Sequence, residues 1–342
     1  MNSRERVFAT IQGRTVDRRP FSVMLSMYGA RLTGCPLSQY YTDPSAYARG
    51  QAAVREIFQP DFLFSPFICV AEGEAFGSKA KYFTDQPPNL MQPAIRSIEE
   101  ISNLTLPDVD SHPRLVYIRE ALRLLKASYS EDVTVASILL SPVDLPLMIM
   151  GIEGWLETVL FDDDGVKRML DVTIPFFFKW ASALVSEDAD FLVMPAAFLN
   201  PSIVTQEIVE KFALPVLRKV FSEVLCPIVI HHAGSQFVKF LGTFLGLPNV
   251  VGFVLDYRDN FSAARKKIGQ NFILMGGLDG PNIGKLSPEE LEKRCMTLLE
   301  NSRDDSRFIL GTSGPDIAFD TPPENIHAIR RAVERFDPGR CL

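Results

Sequence analysis

The chain has 342 residues, with 35 Lys and Arg against 42 Asp and Glu, giving a formal charge of −7. At 46% apolar and 23% charged it has the balance of a globular protein, which sets aside disordered and fibrous classes. The mild acidity lacks the clustered basic excess of a nucleic-acid footprint, and no apolar run approaches the roughly 20 residues of a membrane-spanning helix, so neither nucleic acid nor membrane is an expected partner.

The first residues, MNSRERVFATIQGR, scatter charge along the segment and form no signal-peptide core. Five Cys (Cys35, Cys69, Cys226, Cys295 and Cys341) are odd in number, widely spaced and free of a CxxC pair. They predict reduced, mostly buried thiols in a cytoplasmic protein. Length alone suggests about two domains, but α/β barrels of this size form one unit, and no linker rich in Gly, Ser or Pro divides the sequence. Residues 1–342 are therefore read as one domain with an N-terminal helix.

Val7, Phe8 and Ile11 recur at helical spacing, and Gly13 ends that first helix. Short apolar runs then alternate with longer helical stretches. The runs are Phe21–Met27, Asp61–Ser65, Val133–Leu140, Asp190–Met194, Pro227–Ile230, Val250–Leu255, Phe272–Met275 and Phe308–Leu310. Helical patterns cover Ala46–Phe58, Leu115–Ser128 and Asp164–Ser186, while the segment from Pro87 to Pro107 reads as a long excursion. Eight nearly uniform apolar strands separated by helices predict a parallel sheet covered on its outer face. Their spacing suits a closed (β/α)₈ TIM barrel, and no glycine fingerprint of a doubly wound fold follows the first strand.

Chemistry in such a barrel gathers at the C-terminal strand ends. Those positions hold Ser26, Met27 and Tyr28; Ser65 and Phe67; Ser141 and Asp144; Pro195 and Asn200; His231 and His232; Asp256 and Tyr257; Gly277 and Asp279; and Thr312, Ser313 and Asp316. Glu72 and Glu74 lie beyond the second strand. Two of the four His of the chain stand together where the fifth strand emerges. Alternation turns one toward the barrel and the other toward the helices. An imidazole there serves as acid, base or metal ligand, or else as a structural group bonded to nearby backbone. Asp256 reads as a base, a metal ligand, an orienting partner of His231, or a cap for the next helix. Asp279, amid Gly and Pro, tilts toward turn geometry. Tyr28 and Tyr257 line a pocket or pack in the core. Cys226 and Cys69 read as packing residues, and Asp162 to Asp164 as a solvated helix start. No HExxH, P-loop, GxSxG or CxxC motif is present.

Six segments carry a resemblance. They are RERVFATIQGRTVDRRP, AEGEAFG (71–77), VIHHAG (229–234), VVGFVLDYRDNFSAARKKIG (250–269), FILMGGLDG (272–280) and FILGTSGPDIAFDTPPENIHAI (308–329). The sequence resembles, nearly end to end, the uroporphyrinogen decarboxylase superfamily and its corrinoid-dependent methyltransferase branch, which includes methylcobamide:coenzyme M methyltransferases. That resemblance implies a single (β/α)₈ barrel.

Two departures follow from it. The decarboxylase branch carries an Arg-rich segment after strand one and an Asp after strand two, where this chain has LSMYGAR and Pro66. Porphyrinogen decarboxylation is therefore not expected. The thiol-methylating branch binds zinc through His-x-Cys-Gly and a later Gly-Cys. Here the His matches His231, but Ala233 and Pro315 occupy the two thiolate positions, so His231 alone remains as a metal ligand of that set. Rebuilding a site would call on His232, Asp256 or Glu74.

The resemblance then implies methyl transfer from a small methylated donor to a corrinoid protein, with the corrinoid carried by that partner. His231 and Asp256 are the expected catalytic pair, Asp256 setting the tautomer or charge of His231. Met27, Tyr28, Phe67, His232, Tyr257, Gly277 and Ser313 are the expected substrate contacts, and the aromatic rim suggests an aryl methyl ether donor. Two other readings stand beside it: a methylcobamide-dependent thiol methyltransferase with altered metal ligands, and a tetrapyrrole- or corrinoid-binding protein without catalysis.

Overall fold

Strand sequences such as VVGFVL are apolar at nearly every position because barrel interior covers one face and helices the other. The computed structural model describes residues 1–336, so Cys341 lies outside the described residues. Its barrel strands are β1 (Phe21–Ser22), β2 (Phe62–Phe64), β3 (Thr134–Ile138), β4 (Phe191–Pro195), β5 (Ile228–His231), β6 (Val250–Leu255), β7 (Ile273–Asp279) and β8 (Phe308–Ser313). All pair in parallel, in the order β1-β8-β7-β6-β5-β4-β3-β2. Asp61 closes the circle. Its N–H donates to the Phe21 carbonyl at 3.1 Å and its carboxylate accepts the Phe21 N–H at 2.9 Å. This is the (β/α)₈ barrel that the sequence predicts.

Alternation along the strands sorts the two cores. Phe62, Phe64, Phe191, Val193, Val229, Val254 and Met275 fill the barrel, whereas Leu63, Leu192, Ile230, Phe253 and Leu274 pack beneath the helices. The helix Ser3–Ile11 starts in a capping box between Asn2 and Glu5 and sends Val7 into the barrel-interior cluster. Arg6 reaches Asp61 at 2.7 Å and Arg4 reaches Asp190 at 3.1 Å, so this helix is stapled to the N-terminal end of the barrel.

Several boundaries differ from expectation. Strand β1 stops at Ser22 because the Met24 N–H donates to Thr312 Oγ1 at 2.9 Å and the Met27 N–H to Asp316 Oδ2 at 2.6 Å, not to a strand. Strand β7 continues past Met275 through Gly276 and Gly277, whose φ values are +126° and +101°. A Cβ at Gly276 would stand 2.5 Å from the Leu255 carbonyl oxygen, so glycine lets β6 and β7 approach there. The long excursion, Pro87 to Pro107, carries the second arm of an antiparallel hairpin (Asn89–Gln92, paired with Lys79–Lys81 before it) and a 3₁₀ turn at Ile98–Asn103.

The expectation about membrane-length segments is corrected. The 24-residue helix Asp163–Ser186 is long and apolar enough to span a bilayer, with a mean hydropathy of 1.2 over 18 residues. Counting uninterrupted apolar residues overlooked it, because an average tolerates the odd charge. In this fold it buries Phe176, Phe177, Trp180 and Leu184. Asp162 caps it by accepting the Gly165 N–H, as a helix start requires.

Candidate active site

His231 is the last residue of β5, paired with Pro195 on one side and Val254 on the other. Following inward-facing Val229 by two residues, it also faces the barrel interior. Its ring lines a narrow, almost wholly apolar pocket of only about 30 Å³ with Met24, Phe64, Val254, Met275 and Thr312. The Phe67 ring lies 6.3 Å away. The chain turns through Ala233 (φ +49°), and the Ala233 N–H donates to His231 Nδ1 at 3.0 Å. That bond leaves the proton of the neutral ring on Nε2, which no protein group among the described residues engages. Burial, and then the adjacent His232 ring, hold the His231 pKa well below the usual imidazole range, so the ring is neutral near pH 7.

His232 stacks on His231 with centroids 4.5 Å apart. Its Nδ1 lies 3.0 Å from the Gly234 nitrogen and 3.5 Å from Asp256 Oδ2, and its buried Nε2 has no hydrogen-bond partner among the described residues. Asp256 belongs to Arg258: Nε donates to Oδ1 at 2.6 Å and Nη2 to Oδ2 at 3.0 Å. Burial pushes the Asp256 pKa up, but the Arg258 hydrogen bonds and charge prevail and hold it below the ordinary carboxylate value. The expectation that Asp256 orients His231 is therefore corrected. Asp256 touches His232, and a backbone N–H sets the His231 tautomer.

The other expected contacts divide. Phe67 shares the barrel-interior cluster with the pocket, and Tyr257 sits half-buried beneath the Arg258 guanidinium, 5.5 Å from its ring. Met27 lines a separate groove of about 410 Å³ on the β8–β1 side with Asp316 and Phe319. Three residues are away from the His231 pocket. Tyr28 is fully buried against Phe58 and donates to the Thr321 carbonyl at 2.6 Å. Gly277 faces Leu298 of the helix Pro288–Asn301, since a Cβ there would lie 3.2 Å from that side chain. Ser313 Oγ donates to the Leu278 carbonyl at 3.1 Å. Inward alternation, the signal that finds Met24, Phe64 and Met275, fails where a strand end turns or meets positive-φ glycines.

Buried acids stitch the loops around this mouth. Glu72, after β2, accepts the Leu140 N–H at 2.9 Å. Asp144, after β3, accepts the Phe198 N–H at 2.8 Å. Asp259, after β6, takes the Phe237 N–H at 2.9 Å, and Asp316, after β8, takes that of Met27. Burial raises all four pKa values, Asp144 to about 6 and Glu72 to about 8.

A carboxyl whose pKa rises on folding binds more protons in the folded state, so stability is greatest at low pH and falls as pH rises. For Glu72 the window runs from its ordinary 4.5 to about 8 and spans a few kcal/mol. Glu72→Gln removes this titration and can still accept the Leu140 N–H. Between pH 5 and pH 9 the wild-type Tm is expected to fall relative to that of the variant. Parallel Tm curves would contradict the assignment.

Among the described residues, no three His, Cys, Asp or Glu side chains gather closely enough to hold a metal. Asp256 is committed to Arg258, and Glu74 lies against Tyr82 and Arg114. With Ala233 and Pro315 at the thiolate positions, the donor set around His231 does not fit a tetrahedral zinc. Cys69 packs against the barrel-interior cluster, burial raising its thiol pKa to about 12, and buried Cys226 lies 3.4 Å from the Ala189 carbonyl.

Known proteins share this architecture. A methyltransferase from Methanosarcina mazei superposes with a TM-score of 0.87 at 18% identity, covering 98% of each chain. The methylcobamide:CoM methyltransferase MtbA of the same organism is 22% identical over 97% of this chain and 98% of its own. Its methylated-thiol–coenzyme M methyltransferase is 23% identical over 98% and 92%. Since the uroporphyrinogen decarboxylase (URO-D) profile matches residues 2–336, almost the whole sequence, the chain belongs to the uroporphyrinogen decarboxylase family.

Proposed function

We propose that this barrel transfers a methyl group from a small methylated donor, an aryl methyl ether, to a corrinoid protein in the cytoplasm. Similarity to methylcobamide:CoM methyltransferases over 97% of the chain supports the corrinoid chemistry. The observation that carries the reading is His231: an imidazole with a fixed tautomer and an unengaged Nε2–H, set in an apolar pocket walled by Phe and Met side chains. The pocket lining has no charged residue, which favours an uncharged donor over a methylated amine.

The corrinoid is a substrate here, delivered on its partner, and cobalt(I) supplies the nucleophile. The barrel positions the donor methyl at the mouth, excludes water with its apolar wall and stabilises the leaving group. When the C–O bond breaks, the electron pair remains on the phenolic oxygen, which accepts a hydrogen bond from His231 Nε2–H. A neutral imidazole is a hydrogen-bond donor in this step, and solvent protonates the phenolate after release. A thiol methyltransferase with rebuilt zinc ligands has no supporting donor set around His231.

The test mixes the protein with cobalt(I) corrinoid protein and a panel of aryl ethers, methylated thiols and methylamines, following methylcobalt absorbance. Turnover with ethers is the expected result. Turnover confined to thiols or amines would replace the donor class. Corrinoid binding without turnover on any donor would leave the non-catalytic binding protein as the better reading.

A further inference from the structure

We propose that the groove between the β8 and β1 loops holds the aromatic ring of the methyl donor and selects rings without an anionic substituent. The occupant's role as donor rests on the methyl-transfer reading; the ring site and its charge preference do not. The groove measures about 410 Å³, within the range of small-molecule sites. The His231 pocket, at about 30 Å³, has room for a water or a methyl group and not for a ring, since cavities that take benzene measure about 150 Å³. The two cavities are neighbours. Met24 lines the pocket and Met27 the groove; Thr312 lines the pocket and Pro315 the groove. Three residues of chain span at most about 11 Å, so a ring in the groove keeps its methoxy group at the same barrel mouth as His231.

Met27, Pro281, Pro315, Ile317 and Phe319 wall the groove with apolar surface. The two proline rings fix their own φ, and Asp316 holds the Met27 and Ile317 N–H groups at 2.6 and 3.0 Å. This wall is set before a ligand arrives, which spares ordering entropy. The polar lining is of one sign. Asp85, from the hairpin turn, and Asp320, from the β8 loop, are exposed carboxylates. Among the described residues neither has an ion-pair partner, and no Lys, Arg or His lines the groove. Arg31 reaches the back of the β8 loop outside the cavity, where Nη1 donates to the Phe319 carbonyl at 2.9 Å and the Thr321 carbonyl at 2.6 Å. An anionic ring substituent would meet two like charges and no counter-charge. An uncharged aryl ether meets apolar walls and hydrogen-bond acceptors.

Calorimetric titration of the protein with 4-methoxybenzyl alcohol and with 4-methoxybenzoate tests this without corrinoid. Wild type is expected to bind the alcohol about 10-fold or more tighter than the acid, the scale of two like charges at an open site. On the wild type itself, raising NaCl should narrow that gap, because salt screens exposed carboxylates. Asp85→Asn combined with Asp320→Asn should narrow it to about 3-fold or less. Phe319→Ala should weaken the alcohol about 10-fold through loss of the aromatic wall. Ala318→Trp, which fills the groove, reads the same contact should Phe319→Ala unfold. No binding of the alcohol, an acid bound as tightly as the alcohol, or a gap indifferent to both salt and the double variant would overturn the proposal. So would alcohol binding indifferent to Phe319→Ala and Ala318→Trp. Binding as expected with cobalt never methylated would sink the methyl-transfer reading and leave the ring site standing. Cobalt methylated from aryl ethers whose binding ignores the groove would do the reverse.

Discussion

Replacing His231 by Phe is expected to slow methyl transfer by about 10²- to 10³-fold while leaving donor binding within a few-fold of wild type. That is the range for losing one preorganised donor to a departing oxygen. Phe keeps the ring contacts with Phe67 and His232, so the loss isolates the hydrogen-bonding function of the imidazole. It also leaves the Ala233 N–H without an acceptor, at a cost of about 1–3 kcal/mol in stability. Single-turnover rates separate the chemical step from binding.

The wild-type rate carries a matching pH signature. Because burial holds His231 neutral, the rate is expected to stay level from pH 6 to pH 8. A rate that fell as pH rose through the usual imidazole pKa would identify an imidazolium acid instead. An unchanged rate in His231→Phe would remove the residue from the mechanism.

Asp61→Ala is expected to produce the largest stability loss, about 3–5 kcal/mol, the usual cost of stripping one partner from a buried ion pair. Asp61 is fully buried and accepts from Arg6 and Arg18 at 2.7 Å each, as well as from the Phe21 N–H. Removing it uncouples the N-terminal helix from the barrel and opens the β1–β2 seam at once. The Tm should drop by about 5–10 °C in a chain of this size. Asp61→Asn, which keeps an acceptor for the Phe21 N–H, should lose less. Equal losses in the two variants would show that the ion pair, not the clasp on the Phe21 N–H, holds the seam.

Both effects trace to features of unequal visibility in the sequence. The barrel was readable because its strands are short, apolar on both faces and spaced by helices, and the position of His231 followed from its place at a strand end. The two-residue length of β1 was not readable. Met24 to Met27 are apolar enough for a strand, yet their N–H groups go to Thr312 and Asp316, nearly 300 residues away in sequence. Tyr28 was expected at the mouth from its position, but a helix begins there and turns its ring into the helix layer.

Arg258 is not legible for the opposite reason: an Arg two residues after an Asp reads as surface charge, and only the fold shows its Nε and Nη2 taken by the two Asp256 oxygens. The buried acids were visible as residues, but their shared task of receiving N–H groups from the adjacent loop needs the ring of loops in three dimensions.

The most direct measurement is the dependence of methyl-transfer rate on leaving-group acidity, taken across para-substituted aryl methyl ethers for wild type and His231→Phe. With Nε2–H stabilising the departing oxygen, the wild-type rate should vary weakly with phenol pKa and that of His231→Phe steeply. Identical slopes for the two proteins would contradict the role given to His231.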